Sequence, residues 1–154
     1  MKLLHLADLH FGKTLHQLSL IEDQAFWCAQ LLDCIDREKP DAVVIAGDVY
    51  DRSVPSKEAV TLLSSLLTSI CDREIPVMLI AGNHDGGERL DFVSGLLGRS
   101  GLHIAGTAQA EMTHFTYVFK DGFGPVTFWL MPYVFPAAVR EALQLTDDEI
   151  GSYT

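Results

Sequence analysis

Asp8-Leu9-His10 sets a carboxylate and an imidazole two positions apart. On extended backbone such residues face the same way, so the pair can converge on one cation. By itself the pattern also fits an ordinary turn carboxylate beside a partly exposed histidine. Gly47-Asp48-Val49-Tyr50-Asp51 offers a second acidic group after a glycine that permits a sharp departure of the backbone. A carboxylate presented there can bridge two cations or simply cap a turn. Asp51 keeps both readings, since a capping or supporting role suits it as well as a metal contact. Gly82-Asn83-His84-Asp85 adds an amide oxygen, an imidazole and a further carboxylate within three positions.

Each of these segments follows a short apolar run: Leu3 to Ala7, Ala42 to Ala46 and Val77 to Ala81. Short apolar runs alternating with longer stretches of helical spacing predict βαβ units and a parallel sheet. The three segments then share the carboxyl edge of that sheet, where open α/β folds place their sites. Continuous runs such as Val43-Val44-Ile45 and Val77-Met78-Leu79-Ile80 suit strands covered on both faces, so helices are expected on both sides. Helical spacing covers roughly Leu20 to Arg37, with Phe26, Ala29, Leu32 and Ile35 or their neighbours inward. It recurs over Lys57 to Asp72 with Val60, Leu63, Leu67 and Ile70 inward, entered through Pro55-Ser56. A third helix is expected from about Glu88 to Leu97, ending near Gly98, and a fourth strand over Leu102 to Ala105.

From Phe115 the texture changes. Phe115 to Phe119 and Val126 to Leu130 flank Asp121-Gly122-Phe123-Gly124, which predicts a hairpin adding antiparallel strands to the sheet. Thr146-Asp147-Asp148-Glu149 has the form of a capping box with few residues after it, so the domain is expected to be incomplete. The predicted fold is a layered α/β sandwich forming one domain over residues 1–154.

Mixed Asp, His and Asn donors suit divalent Mn, Fe or Zn, with Mg also accommodated, better than a thiolate-built site. Two such ions about 3.5–4 Å apart can clamp a phosphate through an in-line displacement, so phosphoester hydrolysis is the expected reaction. If Asn83 binds a metal, His84 can reach past it towards the leaving oxygen. Cys28, Cys34 and Cys71 are odd in number and form no Cys-x-x-Cys pair, which fits core thiols rather than a disulfide or zinc framework. With 11 basic against 21 acidic residues the net charge is -10, opposite to the usual footprint of a nucleic-acid binder. A polyanionic substrate would need bound cations to hold it. The chain shows neither a signal peptide nor an apolar run of the ~18 residues that spans a bilayer, so a cytoplasmic protein is expected.

Asp8-x-His10, Gly47-Asp48-x-x-Asp51 and Gly82-Asn83-His84-Asp85, in this order and spacing, resemble the first three blocks of the calcineurin-like metallophosphoesterases. The longer strings His5 to Gly12 and Ala46 to Pro55 resemble the branch formed by bacterial SbcD-type nuclease subunits. The resemblance implies that Asp8 and His10 hold a first metal, Asp48 bridges, Asn83 holds a second, and His84 orients the phosphate or protonates the leaving group. It implies Mn²⁺ as the favoured ion. It further implies exonuclease and endonuclease action on double-stranded DNA ends and hairpins in repair and recombination, an SbcC-type ATPase partner, and a homodimer through the stretches around Lys57–Asp72 and Glu88–Leu97.

Later family blocks, an isolated His and a Gly-His-x-His, find no counterpart, since no His follows His114. His103 and His114 read as structural, and the isolated chain is expected to be inactive. Gly47-Asp48-x-x-Asp51-Arg52 is also similar to the phosphoprotein phosphatase branch, but Ala81 and Asp85 flank the third block differently. A small-molecule phosphodiesterase and a non-catalytic dimerisation fragment complete the alternatives.

Overall fold

Val77, Met78 and Leu79 are fully covered, alternate side chains entering different clusters, because the strand that carries them lies between two layers. A computed structural model describes residues 1–92, 94–108, 113–119, 122–135 and 137. Along the chain they form β1 (Leu3–Leu6), the short strands β2 (Thr14–Leu15) and β3 (Leu18–Ser19), α1 (Ile21–Glu38), β4 (Ala42–Ala46), α2 (Lys57–Cys71) and β5 (Val77–Ile80). Two one-turn helices, α3 (Gly87–Leu90) and α4 (Ser94–Leu97), precede β6 (Leu102–Ala105), β7 (Thr113–Val118) and β8 (Pro125–Leu130). The main sheet has the order β1-β4-β5-β6, parallel throughout.

The first face of the sheet packs against α1 and α2 through Leu31, Ile35, Leu63, Leu66 and Ile70, set against Val43, Ile45, Val77 and Leu79. Burying each such side chain stabilises the fold by about 1.5–3 kcal/mol. Leu90 and Leu97 of the short helices join the same cluster. The other face, built on Ala42, Met78 and Ala105, is covered by Phe119, Leu130, Val126 and Phe128 of the hairpin segment. The mainly parallel sheet, the helices and the antiparallel hairpin are as expected. The expected helix cover of the second face is corrected: among the described residues the hairpin occupies it. β7 and β8 also form a two-stranded sheet of their own, stacked on the main one instead of extending it.

Ser56 caps α2 as its position suggests, its hydroxyl accepting the Ala59 N–H at 3.2 Å. The inward face of α1 is Cys28, Leu31 and Ile35, while Phe26 is exposed. The single helix expected over Glu88–Leu97 is broken at Asp91. Asp91 closes α3 with its own N–H on Gly87 O, and its carboxylate accepts the backbone N–H groups of Gly106 and Thr107 and the Thr107 hydroxyl, tying the helix end to the segment after β6. Cys28 is buried, and desolvation pushes its thiol up to about 11; Cys34 and Cys71 are half-buried, and all three are free. Among the described residues, no helix is long and apolar enough to cross a membrane. The capping box at Thr146–Glu149 lies outside the described residues.

Candidate metal centre

Beyond the ends of β1 and β4 the two chain segments stay hydrogen-bonded. Asp8 N–H donates to Gly47 O at 3.1 Å, His10 N–H to Asp48 O at 2.9 Å, and Phe11 N–H to Val49 O at 2.9 Å. A parallel bridge joins Phe11 and Tyr50. The continued pairing forces local backbone strain: Asp8, His10 and Asp48 have φ of 55°, 45° and 48°. That region costs a non-glycine residue roughly 1–2 kcal/mol. Three strained donors side by side are the kind of feature that marks a functional site.

The donors converge. His10 Nε2 lies 4.0 Å from Asp8 Oδ1 and 3.9 Å from Asp48 Oδ2, too far to hydrogen-bond. Two ligands of one ion, each about 2.1 Å from it, sit roughly 3–4 Å apart, so these separations suit donors around a shared cation. His10, Asp48 and His84 each bring a ligand atom within 4.8 Å of the others. The His10 and His84 rings meet edge to face at 4.9 Å. Asp8, Asp48 and Asn83 line one cavity of about 250 Å³ with Tyr133. On the far side of the His10 ring, Nδ1 is buried without a hydrogen-bond partner, although Asp51 Oδ1 stands 3.5 Å away. The distance admits electrostatic attraction while the alignment is not that of a hydrogen bond. A carboxylate behind a ligating imidazole is the usual support of a metal-binding histidine. The donor set therefore fits divalent ions.

Asp51 also accepts, through its backbone oxygen, from His84 Nδ1 at 3.1 Å. A carbonyl can only accept, so Nδ1 carries a proton in this contact and Nε2 is the ring nitrogen left for another partner. Asp48 Oδ1 accepts the His84 N–H at 3.0 Å, tying the third loop to the second. Lys13 Nζ and Arg52 Nε stand 3.8 and 3.9 Å from the Asp51 carboxylate.

Three positioning groups carry the arrangement. Asp85 accepts from the backbone N–H groups of Val49 (3.1 Å), Tyr50 (2.8 Å) and Gly82 (2.8 Å), clasping the loops after β4 and β5. Gln24, from α1, donates to His10 O at 2.8 Å and accepts from Gly12 N–H at 3.0 Å, holding the loop after β1. Gly82 runs against Asp48, where a Cβ would meet Asp48 Oδ1 and its backbone nitrogen. Burial, with the Asp85 charge adding to it, pushes the Tyr50 phenol up to about 12, so it stays neutral beside the clasp.

Removing the clasp leaves two or three backbone N–H groups without acceptors, each costing about 1–3 kcal/mol where buried. Asp85→Ala is therefore expected to destabilise the chain by about 3 kcal/mol, read as a lower urea midpoint. Asp85→Asn should fall between, since one amide face opposes an N–H donor. An unchanged midpoint for Asp85→Ala would show that the clasp contributes nothing.

All five residues expected from sequence reach the same edge. Asp8, His10 and Asp48 are grouped, Asn83 faces the adjoining cavity, and His84 sits closer to His10 and Asp48 than a residue reaching only past the metals would. The sequence reading missed Gln24 and the clasping role of Asp85. Gln24 did carry a signal: it is the polar member of the stripe Ile21, Gln24, Cys28, Leu31, Ile35.

The family model described as calcineurin-like phosphoesterase matches residues 1–138. A protein of Staphylococcus epidermidis, named as the SbcD component of the nuclease SbcCD, is 44% identical over 105 residues, covering 68% of this chain and 28% of its own length. One of the same name from Staphylococcus saprophyticus is 36% identical over 150 residues, covering 97% of this chain and 38% of its own length. The chain thus spans about a third of the length of the curated relatives it matches. Motif order, site geometry and the extent of these matches agree, and the chain belongs to the calcineurin-like phosphoesterases.

Proposed function

We propose that the chain supplies the Asp, His and Asn part of a two-metal centre in a DNA nuclease, cutting phosphodiester bonds as an exonuclease and endonuclease. The observation that carries the proposal is the convergence on His10 Nε2 of two carboxylates at 3.9 and 4.0 Å, from two separate loops. Asp8 and His10 would hold the first ion, Asn83 the second, and Asp48 would be shared between them, with Mn²⁺ as the favoured ion. When bound, such ions neutralise phosphate charge and lower the pKa of a bound water.

The chain's own residues then do the rest. Asp51 and Gln24 fix His10 and its loop, and Asp85 fixes the second loop against the third. His84, oriented by the Asp51 carbonyl, would present Nε2 to the phosphate or its leaving oxygen, orienting the phosphate or, once Nε2 has taken a proton from solvent, giving that proton to the leaving oxygen. The relatives are named as components of a nuclease called SbcCD. That name supports a nuclease that works with an SbcC-type subunit; the ATPase nature of that partner, duplex DNA as substrate, and cytoplasmic work in repair and recombination are proposed on the motif resemblance. Exposed apolar side chains on α2, between α3 and α4 and in α4, namely Val60, Phe92 and Leu96, support a homodimer through those stretches.

Four ligand side chains, Asp8, His10, Asp48 and Asn83, would fill only part of the shells of two ions that take about six ligands each. These 154 residues by themselves are therefore expected to bind Mn²⁺ weakly and to leave DNA intact.

The test compares linear duplex DNA with a phosphopeptide as substrates of the full-length protein carrying this chain, in Mn²⁺. DNA is expected to be cut and the phosphopeptide spared, with chelation abolishing cutting. His84→Ala should lower kcat by about 10²–10⁴-fold while Mn²⁺ affinity holds. Preferential phosphopeptide hydrolysis would sink the nuclease reading. Mn²⁺ affinity falling in step with kcat would make His84 a ligand instead.

A further inference from the structure

Tyr133 lines two cavities at once. One is the 250 Å³ cavity shared with Asp8, Asp48 and Asn83; the other is a neighbouring cavity of about 750 Å³ that also receives Phe135, Arg89 and the glycine loops around Gly86 and Gly106. The second is not part of the metal centre, yet an aromatic ring joins it to the place where a phosphodiester would be held. Its size suits a nucleotide, since small-ligand pockets run to about 300–1,000 Å³.

Two features of its wall are specific. Tyr133 and Phe135 stand edge to face, with centroids 5.1 Å apart and planes at 84°, and both are exposed, at 41% and 57%. Such a pair makes a corner: a flat ring can stack on one face while its edge meets the other. Tyr133 is also pinned, its backbone N–H donating to Ala81 O at 2.8 Å, one residue before the metal-side loop. The aromatic corner and the donors are thus fixed to one backbone. Asp85, although it lines this cavity, has its carboxylate occupied by three backbone N–H groups.

We infer that this cavity is a nucleobase subsite, in which the base of a nucleotide adjoining the scissile phosphate stacks in the corner formed by Tyr133 and Phe135. The inference rests on the nuclease reading for what is cut but makes its own claim about what is gripped. Stacking needs no positive charge, which suits a chain of net charge -10. Every base has a π-face, so the subsite is tolerant of sequence. Among the lining residues Arg89 is the cation, beside the carboxylate of Glu88.

The experiment measures binding of a fluorescein-labelled, phosphorothioate-protected trinucleotide to the full-length protein in Mn²⁺, against the same probe with one base removed at each position in turn. Wild type is expected to lose about tenfold in affinity for one abasic position. Phe135→Ala should bind the intact probe about tenfold more weakly and show no further loss with the abasic probe, whereas Phe135→Trp should restore the preference. Phe135 is more than half exposed, so its truncation leaves the core intact. Equal wild-type binding of intact and abasic probes at every position, or a base preference unchanged in Phe135→Ala, overturns the inference. DNA cleavage is scored separately: cutting without any base preference removes the subsite and keeps the nuclease. Base preference without Mn²⁺-dependent cutting removes the nuclease and keeps a nucleotide subsite.

Discussion

Asp48→Asn is expected to lower Mn²⁺-dependent cleavage by the full-length protein about 10³-fold or more while leaving its thermal midpoint within a few degrees. The side chain does two things. One oxygen, Oδ2, faces His10 Nε2 at 3.9 Å, and the other, Oδ1, accepts the His84 N–H at 3.0 Å. An asparagine can keep the second contact and loses the charge that the first provides. It also tolerates the left-handed backbone that Asp48 adopts at φ 48°, which alanine would occupy at a cost of about 1–3 kcal/mol. Asparagine therefore separates charge from strain where alanine would mix them. A carboxylate shared by two cations would offset several kcal/mol of their mutual repulsion, and each ~1.4 kcal/mol is tenfold in rate. Mn²⁺-dependent cleavage retaining more than about a tenth of wild-type rate in Asp48→Asn would remove Asp48 from the bridging position.

Why the role of Asp48 can be read from the sequence, while Gln24 shows only as a polar residue in an apolar stripe with no partner indicated, has a physical explanation. Donor chemistry is a property of the residue, and the place of a residue after an apolar run is local. Asp8, His10, Asp48, Asn83 and His84 can thus be assigned to one sheet edge before any coordinate. The hydrogen bonds that make the edge a site are long-range in sequence. Asp85 meets Val49 and Tyr50 across 36 and 35 positions, and Gln24 meets His10 across 14. No spacing rule reports such partners.

The fold divides along the same line. The continuous apolar runs at Val43–Ile45 and Val77–Ile80 show that both faces of the sheet are covered, but burial is blind to what covers them. Apolar runs alternating with helical stretches predict helices on the second face, where Phe119, Leu130 and Phe128 of the hairpin segment sit. The break after Asp91 is hidden for a related reason: helical spacing covers 88–97, and the partners that tie the Asp91 carboxylate down, the Gly106 and Thr107 N–H groups, are 15 and 16 positions away. In α1, Phe26 heads an apolar series in steps of three through Ala29 and Leu32 that drifts round the helix, while Cys28, Leu31 and Ile35 stay on one side at about 3.6 residues per turn. The choice between them is made by where α2 lies, since Cys28, Leu31 and Ile35 join the cluster that contains Leu63, Leu66 and Ile70.

Gly82→Ala is expected to damage the site more than any other single methyl group could. A Cβ at Gly82 would land on Asp48 Oδ1 and the Asp48 nitrogen, with Asp48 Cγ at 2.8 Å. From the other side, a Cβ at Gly47 would be 3.1 Å from Gly82 Cα. The loops after β4 and β5 therefore meet backbone to backbone, and the bridging carboxylate lies in that contact. Nothing about φ at Gly82 demands glycine; the requirement is space. The loops can part only by stretching the Gly82 N–H bond to Asp85 and the His84 N–H bond to Asp48, and overpacking of this kind costs about 1–3 kcal/mol or more. A shift of about 1 Å in Asp48 is enough to lose roughly 10²-fold in rate. The expected result is a lower urea midpoint together with Mn²⁺ affinity weakened well beyond what the midpoint alone explains. Gly95→Ala is the matched control. Within α4 a Cβ there meets no atom inside 4 Å, so the same methyl group should be neutral or stabilise by up to about 1 kcal/mol. If both variants bind Mn²⁺ like wild type, the carboxylate of Asp48 does not depend on the backbone contact that holds it, and the geometry proposed for the metals fails with it.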